Sequence, residues 1–208
     1  HSHTIKENLI KDKFVKPIIV FDVGAHHGET IKLFHKKLKL EKIYSFEASP
    51  KNFEILTRNI SNYDKKKIQT FNFGLGDKIS KNYIHQTLES SSSTINKLNE
   101  DSKYFKKKLR ILNVRSKNSF YYQLPIMIKT LDYFIEKNEI EYIDLLKIDT
   151  EGYEFNVLKG LSKFNKKVKL IYFEHHYDDM IIKNYKFKDI HQLLKSYGFI
   201  MIKKSKML

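Results

Sequence analysis

The stretch Val20-Phe21-Asp22-Val23-Gly24-Ala25-His26-His27-Gly28-Glu29-Thr30 decides how the rest of the chain is read. Ile18 to Val23 is β-branched and aromatic, as expected of a strand buried on both faces, and Thr30-Ile31-Lys32-Leu33-Phe34 opens an amphipathic helix. Between them, Gly24 and Gly28 permit a tight turn and a close backbone approach to a ligand, while the free N–H groups of the helix start face the crevice. A strand, a glycine turn and a helix in this order suit an anionic or polar cofactor.

The missing glycines narrow the choice. A dinucleotide fingerprint needs G-x-G-x-x-G, and its second and third glycine positions are here His26 and Glu29. Asp22-x-Gly24-x-x-x-Gly28 instead resembles motif I of the class I S-adenosylmethionine-dependent methyltransferases. Further on, Ile43-Tyr44-Ser45-Phe46-Glu47 reads as a second strand ending in an acid, where a carboxylate can accept hydrogen bonds from both ribose hydroxyls.

Working outward, 208 residues predict one globular domain with a sizeable core. The chain has no cysteine, which excludes a disulfide framework and a thiolate zinc site. No apolar run approaches the roughly 20 residues that span a bilayer, and a cytoplasmic location is the expectation. His1-Ser2-His3 reads as a remnant or trimmed terminus. A net charge of +15 points toward nucleic acid, an anionic surface or an acidic substrate. Only Arg58, Arg110 and Arg115 among 39 basic residues are arginines, however, and a chain that reads bases or clamps phosphates bidentately would use more.

In chain order, residues 1–16 form a polar lead-in, possible helix included, and Pro17 sets the entry to the first strand. Thr30 to Leu40 is helical, as is the stretch from Pro50 to about Asn62, where Pro50 suits an early helical position. Ile68 to Phe73 is a third strand, closed by Gly74-Leu75-Gly76-Asp77, and this β-α-β-α-β unit brings three strand ends to one crevice. Periodicity is lost over 78–124, which is expected to be an irregular insertion: either solvated surface or a lid whose basic residues from Lys103 to Lys117 face an anionic acceptor. Leu131 to Ile135 forms a short helix, Tyr142 to Ile148 a strand, and the chain from about Glu154 through Leu158 to Leu161 a helix. Lys169 to Phe173 is a further strand, followed by a helix near Phe187 to Tyr197, a Gly198 stop and a strand over Phe199 to Lys203.

The stretch Leu145-Leu146-Lys147-Ile148-Asp149-Thr150-Glu151-Gly152-Tyr153-Glu154, with Asp22-Val23-Gly24-Ala25 and Phe46-Glu47-Ala48 upstream, resembles the FkbM family of methyltransferases. The resemblance spans roughly Val20 to Glu174. It implies a doubly wound, mostly parallel Rossmann-like α/β sheet flanked by helices, S-adenosyl-L-methionine as donor, a hydroxyl acceptor, and Asp149 and Glu151 near the reacting end. The bottom-up reading agrees on location, because an acid cluster at the carboxyl end of a parallel strand lies at the ligand crevice. Alternatively, Asp149 and Thr150 cap the next helix.

The candidate cofactor-binding residues are thus Asp22, Gly24, Ala25, His26, Gly28, Glu47, Ala48 and Asp149. The catalytic candidates are Asp149, Glu174, His175 and Lys147. In Glu174-His175-His176-Tyr177-Asp178-Asp179 a histidine suits a general base, and of two adjacent histidines on an extended segment only one can face the site. A divalent metal, Mg or Mn, held by Asp149, Glu174 and a histidine is a further option. The function expected is O-methyl transfer to a sugar, glycan or related small molecule. The alternatives are ribose 2′-O-methylation of RNA, which Lys147 beside Asp149 would suit, or a silent nucleotide-fold module holding an anionic partner.

Overall fold

β1 (Ile18–Val23) sends Ile18 and Val20 to one side of a sheet and Phe21 and Val23 to the other, and both sets are fully buried. A strand buried on both faces must be central. The computed structural model, which describes residues 14–114, 119–177 and 179–204, places it there. Its neighbours are β2 (Leu40–Phe46), β3 (Ile68–Phe71), β7 (Ile143–Ile148) and β8 (Val168–Phe173), in the all-parallel order β3-β2-β1-β7-β8. The N-terminal residues 1–13, Arg115, Lys117 and Asp178 lie outside the described residues, so the lead-in, the remnant reading and part of the basic cluster are not addressed by it.

Helices cover the sheet. α1 (Glu29–Lys37) and α2 (Pro50–Asn59) bury Ile31, Phe34 and Leu56 against Val20, Ile43 and Leu145. On the other face an aromatic group of Phe21, Tyr44, Phe46 and Phe71 surrounds Phe134 of α4 (Leu131–Lys137). α2 starts where Pro50 follows Ser49, whose Oγ accepts from the Asn52 N–H at 3.2 Å. α1 ends earlier than its apolar spacing predicts, because Leu40 already belongs to β2.

The insertion is more regular than expected. β5 (Ser80–Thr87) and β6 (Tyr121–Lys129) form an antiparallel pair, and β4 (Gly74–Leu75), expected only as a strand closure, adds to β6 in parallel. Pro125 sits inside β6 opposite Tyr83, at a position that β4, pairing only with Ile128 and Lys129, does not reach. α3 (Lys103–Ile111) packs Phe105 against Phe120, Met180 and Ile181. Two helices follow β7 and β8: α5 (Glu154–Lys159) and α6 (Phe187–Ser196). Phe199 to Lys203, expected as a strand, belongs to no strand, and Ile200, Met201 and Ile202 are exposed. No helix among the described residues is long and apolar enough to cross a membrane.

Candidate functional site

β1 and β7 adjoin where the strand order reverses, and a parallel sheet opens its crevice there, beyond the carboxyl ends. The ladder runs directly into it. The Gly24 N–H donates to the Phe46 carbonyl at 2.9 Å, Glu47 to Phe71 at 3.0 Å, Asp149 to Val23 at 2.9 Å and Glu174 to Ile148 at 3.0 Å.

Gly24 is left-handed, with φ 83°, and an added Cβ would stand 1.8 Å from the Asp149 carbonyl oxygen. Glycine is required there by the chain's own acid loop rather than by a ligand. Gly28, with φ 92°, would bring a Cβ within 2.9 Å of Leu56, so its role is to seat α2 beside the turn. Ala25 is likewise buried and donates to Phe46 at 3.0 Å. Of the residues expected around a cofactor, Gly24, His26, Glu47, Ala48 and Asp149 line one cleft of about 550 Å³, its open mouth included, whereas Asp22, Ala25 and Gly28 do not.

Asp22 and Lys147 are register partners on adjacent parallel strands, so their side chains leave the sheet on the same side. Lys147 Nζ lies 3.0 Å from Asp22 Oδ1, donates to the Gly24 carbonyl at 3.0 Å and stands 3.8 Å from Asp149 Oδ2. Asp22 is wholly buried, and burial raises its carboxyl despite the lysine. This interior pair joins the glycine turn to Asp149 and does not itself touch the cleft.

Glu47 is 6% exposed. Its Oε2 accepts from the His26 N–H at 2.8 Å and its Oε1 from the Ser49 N–H at 2.9 Å, which leaves each oxygen further acceptor capacity. Burial pushes the carboxyl up to about 7, although both N–H donors favour its charge.

His26 joins the turn to the insertion. Its Nδ1 is 3.0 Å from Glu29 Oε1 and its Nε2 is 2.8 Å from Ser90 Oγ. Ser90, Ser91, Ser93 and Ile95 form the wall of the cleft opposite the glycine turn. Lys108 of α3 braces that wall, 2.6 Å from Glu89 and donating to Ser92 at 2.5 Å. Thr94 Oγ1 donates to the Glu151 carbonyl at 2.7 Å and Asn96 to that of Gly152 at 2.5 Å, so the insertion is also bound to the acid loop. Sequence periodicity missed this wall. The serine run was its one visible sign.

The acid loop is organised by Glu154, wholly buried at the start of α5. Its Oε1 accepts from the Thr150 N–H, the Thr150 hydroxyl and the Gly152 N–H at 3.0 to 3.2 Å, and its Oε2 from the Tyr185 hydroxyl at 2.7 Å. Capping by Asp149 and Thr150 does not occur, because α5 begins several residues later and its N-cap, Tyr153, uses no side-chain bond. The Asp149 carboxylate makes no hydrogen bond among the described residues, its nearest cation being Lys147.

The two histidines part as adjacency requires: His176 pairs with the acid loop, and His175 lies among aromatic rings. His176 Nε2 lies 3.3 Å from Glu151 Oε2; burial alone would lower it, but the Glu151 bond and the neighbouring carboxylates prevail and hold it at about 9. Burial raises Glu151 in turn. His175 packs among Tyr177, Tyr185 and Phe187, where burial, with Lys183 and His176 adding to it, lowers it to about 4. Asp149, Glu151 and His176 each bring one ligand atom within 4.8 Å of the others, and Glu174, expected beside Asp149 and a histidine, is not in this group.

A central parallel sheet with an acid at the end of β2, a glycine turn after β1 and an acid loop after β7 defines the Rossmann-like class of nucleoside-binding α/β folds. The sequence profile of the methyltransferase FkbM domain matches residues 22–201, and the chain belongs to that family. Among solved structures, the M. capricolum TrmK in complex with S-adenosyl-homocysteine shares the fold at TM-score 0.52 and 14% identity, over 98% of this chain and 62% of that one. The methyltransferase FkbM from Methylobacillus flagellatus KT is 18% identical over 70% of this chain and 29% of its own, at TM-score 0.43. The chain therefore spans less than two thirds of either. No curated protein matches it.

The cleft fits the nucleoside end of S-adenosylmethionine. Phe46, Phe73, Leu75 and Ile84 offer apolar walls for a purine, and Glu47 offers a buried acceptor.

Proposed function

We propose that the chain is an S-adenosylmethionine-dependent O-methyltransferase acting on a hydroxyl of a sugar, glycan or related small molecule. The observation that carries this is the convergence of Gly24, Glu47 and Asp149 on one cleft that Glu151 also lines, with His176 paired to Glu151. Glu47 and Ala48 hold the ribose and base, and the Gly24 turn and Asp149 hold the remainder of the cofactor. The bound donor supplies an electrophilic methyl on a sulfonium.

The protein's own contribution is position and proton handling. In-line transfer to oxygen gains most from holding the two reactants in register, and the proton of the acceptor hydroxyl needs a carboxylate or imidazole within hydrogen-bond reach. The Asp149 carboxylate lines the cleft, with Lys147 3.8 Å away to fix its place. Glu151 and His176 present a paired donor and acceptor for orienting a polyhydroxylated acceptor. Glu174 and His175, lying outside the cleft lining, act at most through these neighbours.

Calorimetry with S-adenosylhomocysteine tests the reading. Micromolar binding by the parent, weakened at least ~10-fold in Glu47→Ala by loss of charge-assisted hydrogen bonds, is expected. No binding by the parent overturns it. RNA as acceptor draws on one observation, the exposed Lys103, Lys106 and Lys107 of α3. RNA affinity with a steep salt slope, accompanied by methyl transfer to RNA, would favour that acceptor over a glycan.

A further inference from the structure

The proposed reaction leaves a mismatch of proton affinities at the mouth of the cleft. An alcohol holds its proton far more tightly than a carboxylate does, and a free imidazole poised near neutrality would be the ordinary remedy. Neither histidine serves as that base as it stands: His175 is enclosed by aromatic rings, and His176 is held to Glu151 in an ion pair that a cation bound by both residues would replace, with release of the imidazole proton. What the site presents instead is two carboxylates and one imidazole converging from separate loops, after β7 and after β8.

We propose that Asp149, Glu151 and His176 form a binding site for a divalent cation of the Mg²⁺ or Mn²⁺ type. The inference rests on the reading of this cleft as a methyl-transfer site, and it adds the element that activates the acceptor. One ligand atom from each residue lies within 4.8 Å of the other two, a spread that small side-chain rotations contract to a common centre. Two carboxylates and an imidazole suit a hard or borderline cation, with the remaining positions open to water and to the oxygens of an acceptor. The loop that supplies two of the ligands is held from outside: Glu154 binds the Thr150 and Gly152 N–H groups, and Thr94 binds the Glu151 carbonyl. The His176 carbonyl accepts from Lys183 Nζ, which fixes the third ligand's backbone. Supports of this kind, one step beyond the ligands, set the affinity and geometry of metal centres. The Asp149 carboxylate, otherwise without a hydrogen bond, gains a partner, and the crowding of Asp149, Glu151 and Glu154 is relieved. A cation here strengthens the acidity of a coordinated hydroxyl, so a carboxylate suffices as base.

Mn²⁺ titrated into the full chain without cofactor, with free ion followed by electron paramagnetic resonance, tests the site. Saturation at one equivalent is expected, and His176→Gln or Asp149→Asn should weaken it by at least ~10-fold, the loss that removing even an outer partner produces. His27→Gln serves as control, because His26, His27 and Glu29 form the other cluster of metal-ligating groups among the described residues. No saturable binding up to millimolar Mn²⁺ overturns the proposal, as does binding abolished by His27→Gln and unchanged in both His176→Gln and Asp149→Asn. Circular dichroism checks that each variant is folded, and either of the two ligand variants suffices if the other is not. S-adenosylhomocysteine binding is measured separately by calorimetry, so a chain that binds Mn²⁺ but no cofactor loses the methyl-transfer reading and keeps the cation site, and the reverse result does the opposite.

Discussion

Gly24 shows how much a single position can carry. Its left-handed φ was foreseeable from the turn, but the close neighbour, the Asp149 carbonyl 125 positions away in sequence, was not, because no local pattern reports a contact between two strand ends. Gly24→Ala must both strain the backbone and push the acid loop away. Urea denaturation should show a loss of at least ~2 kcal/mol, from backbone strain of ~1–3 kcal/mol together with the displaced acid loop. Glu47 was legible as an acid ending a strand, and its burial was not. The folded protein holds this carboxyl near 7 against an ordinary value of 4.5, so the folded state takes up the proton more readily than the unfolded chain. Its contribution to stability is therefore present below pH 4.5 and lost as pH rises through about 7. Cofactor binding runs the other way, since the charged carboxylate is the better acceptor for ribose hydroxyls. Affinity for S-adenosylhomocysteine should rise with pH through about 7 and become nearly flat in Glu47→Gln, as calorimetry at several pH values would show.

Among the elements, β1 announces itself as a nearly continuous apolar run, as a strand covered on both faces must be, and β3 by its alternation, Ile68-Gln69-Thr70-Phe71. β5 does not. Its buried half is Ile84, His85, Gln86 and Thr87, three of them polar, so a scan for alternating hydrophobicity passes over a strand whose interior is held by hydrogen bonds. His85, for example, exchanges backbone bonds with Thr94, and its ring meets Gln123 at 3.1 Å. Phe199 to Lys203 fails in the opposite sense: the apolar residues are there, but they pair with no strand among the described residues. The basic residues of α3 also separate. Lys108 braces the serine wall of the cleft, whereas Lys103, Lys106 and Lys107 are exposed. Lys108→Gln should therefore weaken cofactor binding by a factor of about 3 to 10, as expected for a charged hydrogen-bond pair worth ~1 kcal/mol. Replacing Lys103, Lys106 and Lys107 together by Gln should leave that affinity unchanged and lower affinity only for an anionic acceptor. Equal loss in both variants would show that charge, and not the brace, is what matters.

For the whole molecule, the two sheets are not separable parts. β3 ends at Phe71 and β4 begins at Gly74, so the chain leaves the large sheet and enters the small one almost without a link. β6 lies between β4 and β5, and its last residue, Lys129, accepts from the Gly76 N–H at 2.9 Å before Thr130 caps α4. β6 anchors the insertion to the core at Lys129, Thr94 and Asn96 tie its middle to the acid loop, and the Ser90–Ser92 turn, held to the glycine turn through His26, is the freer end. A structure clamped this way moves like a reed: the fixed parts keep still and the free end sweeps. In hydrogen–deuterium exchange, the amides of Ile126 and Ile128 should be protected almost as long as those of β1, while those near Tyr121, Thr87 and the Ser90–Ser92 turn should exchange sooner and slow down when S-adenosylhomocysteine is added. Uniform exchange along β6 would show instead that the insertion opens as a block. If the graded pattern holds, the route by which a spent cofactor leaves lies under the serine turn, and the rate of turnover would be set by how often that free end lifts.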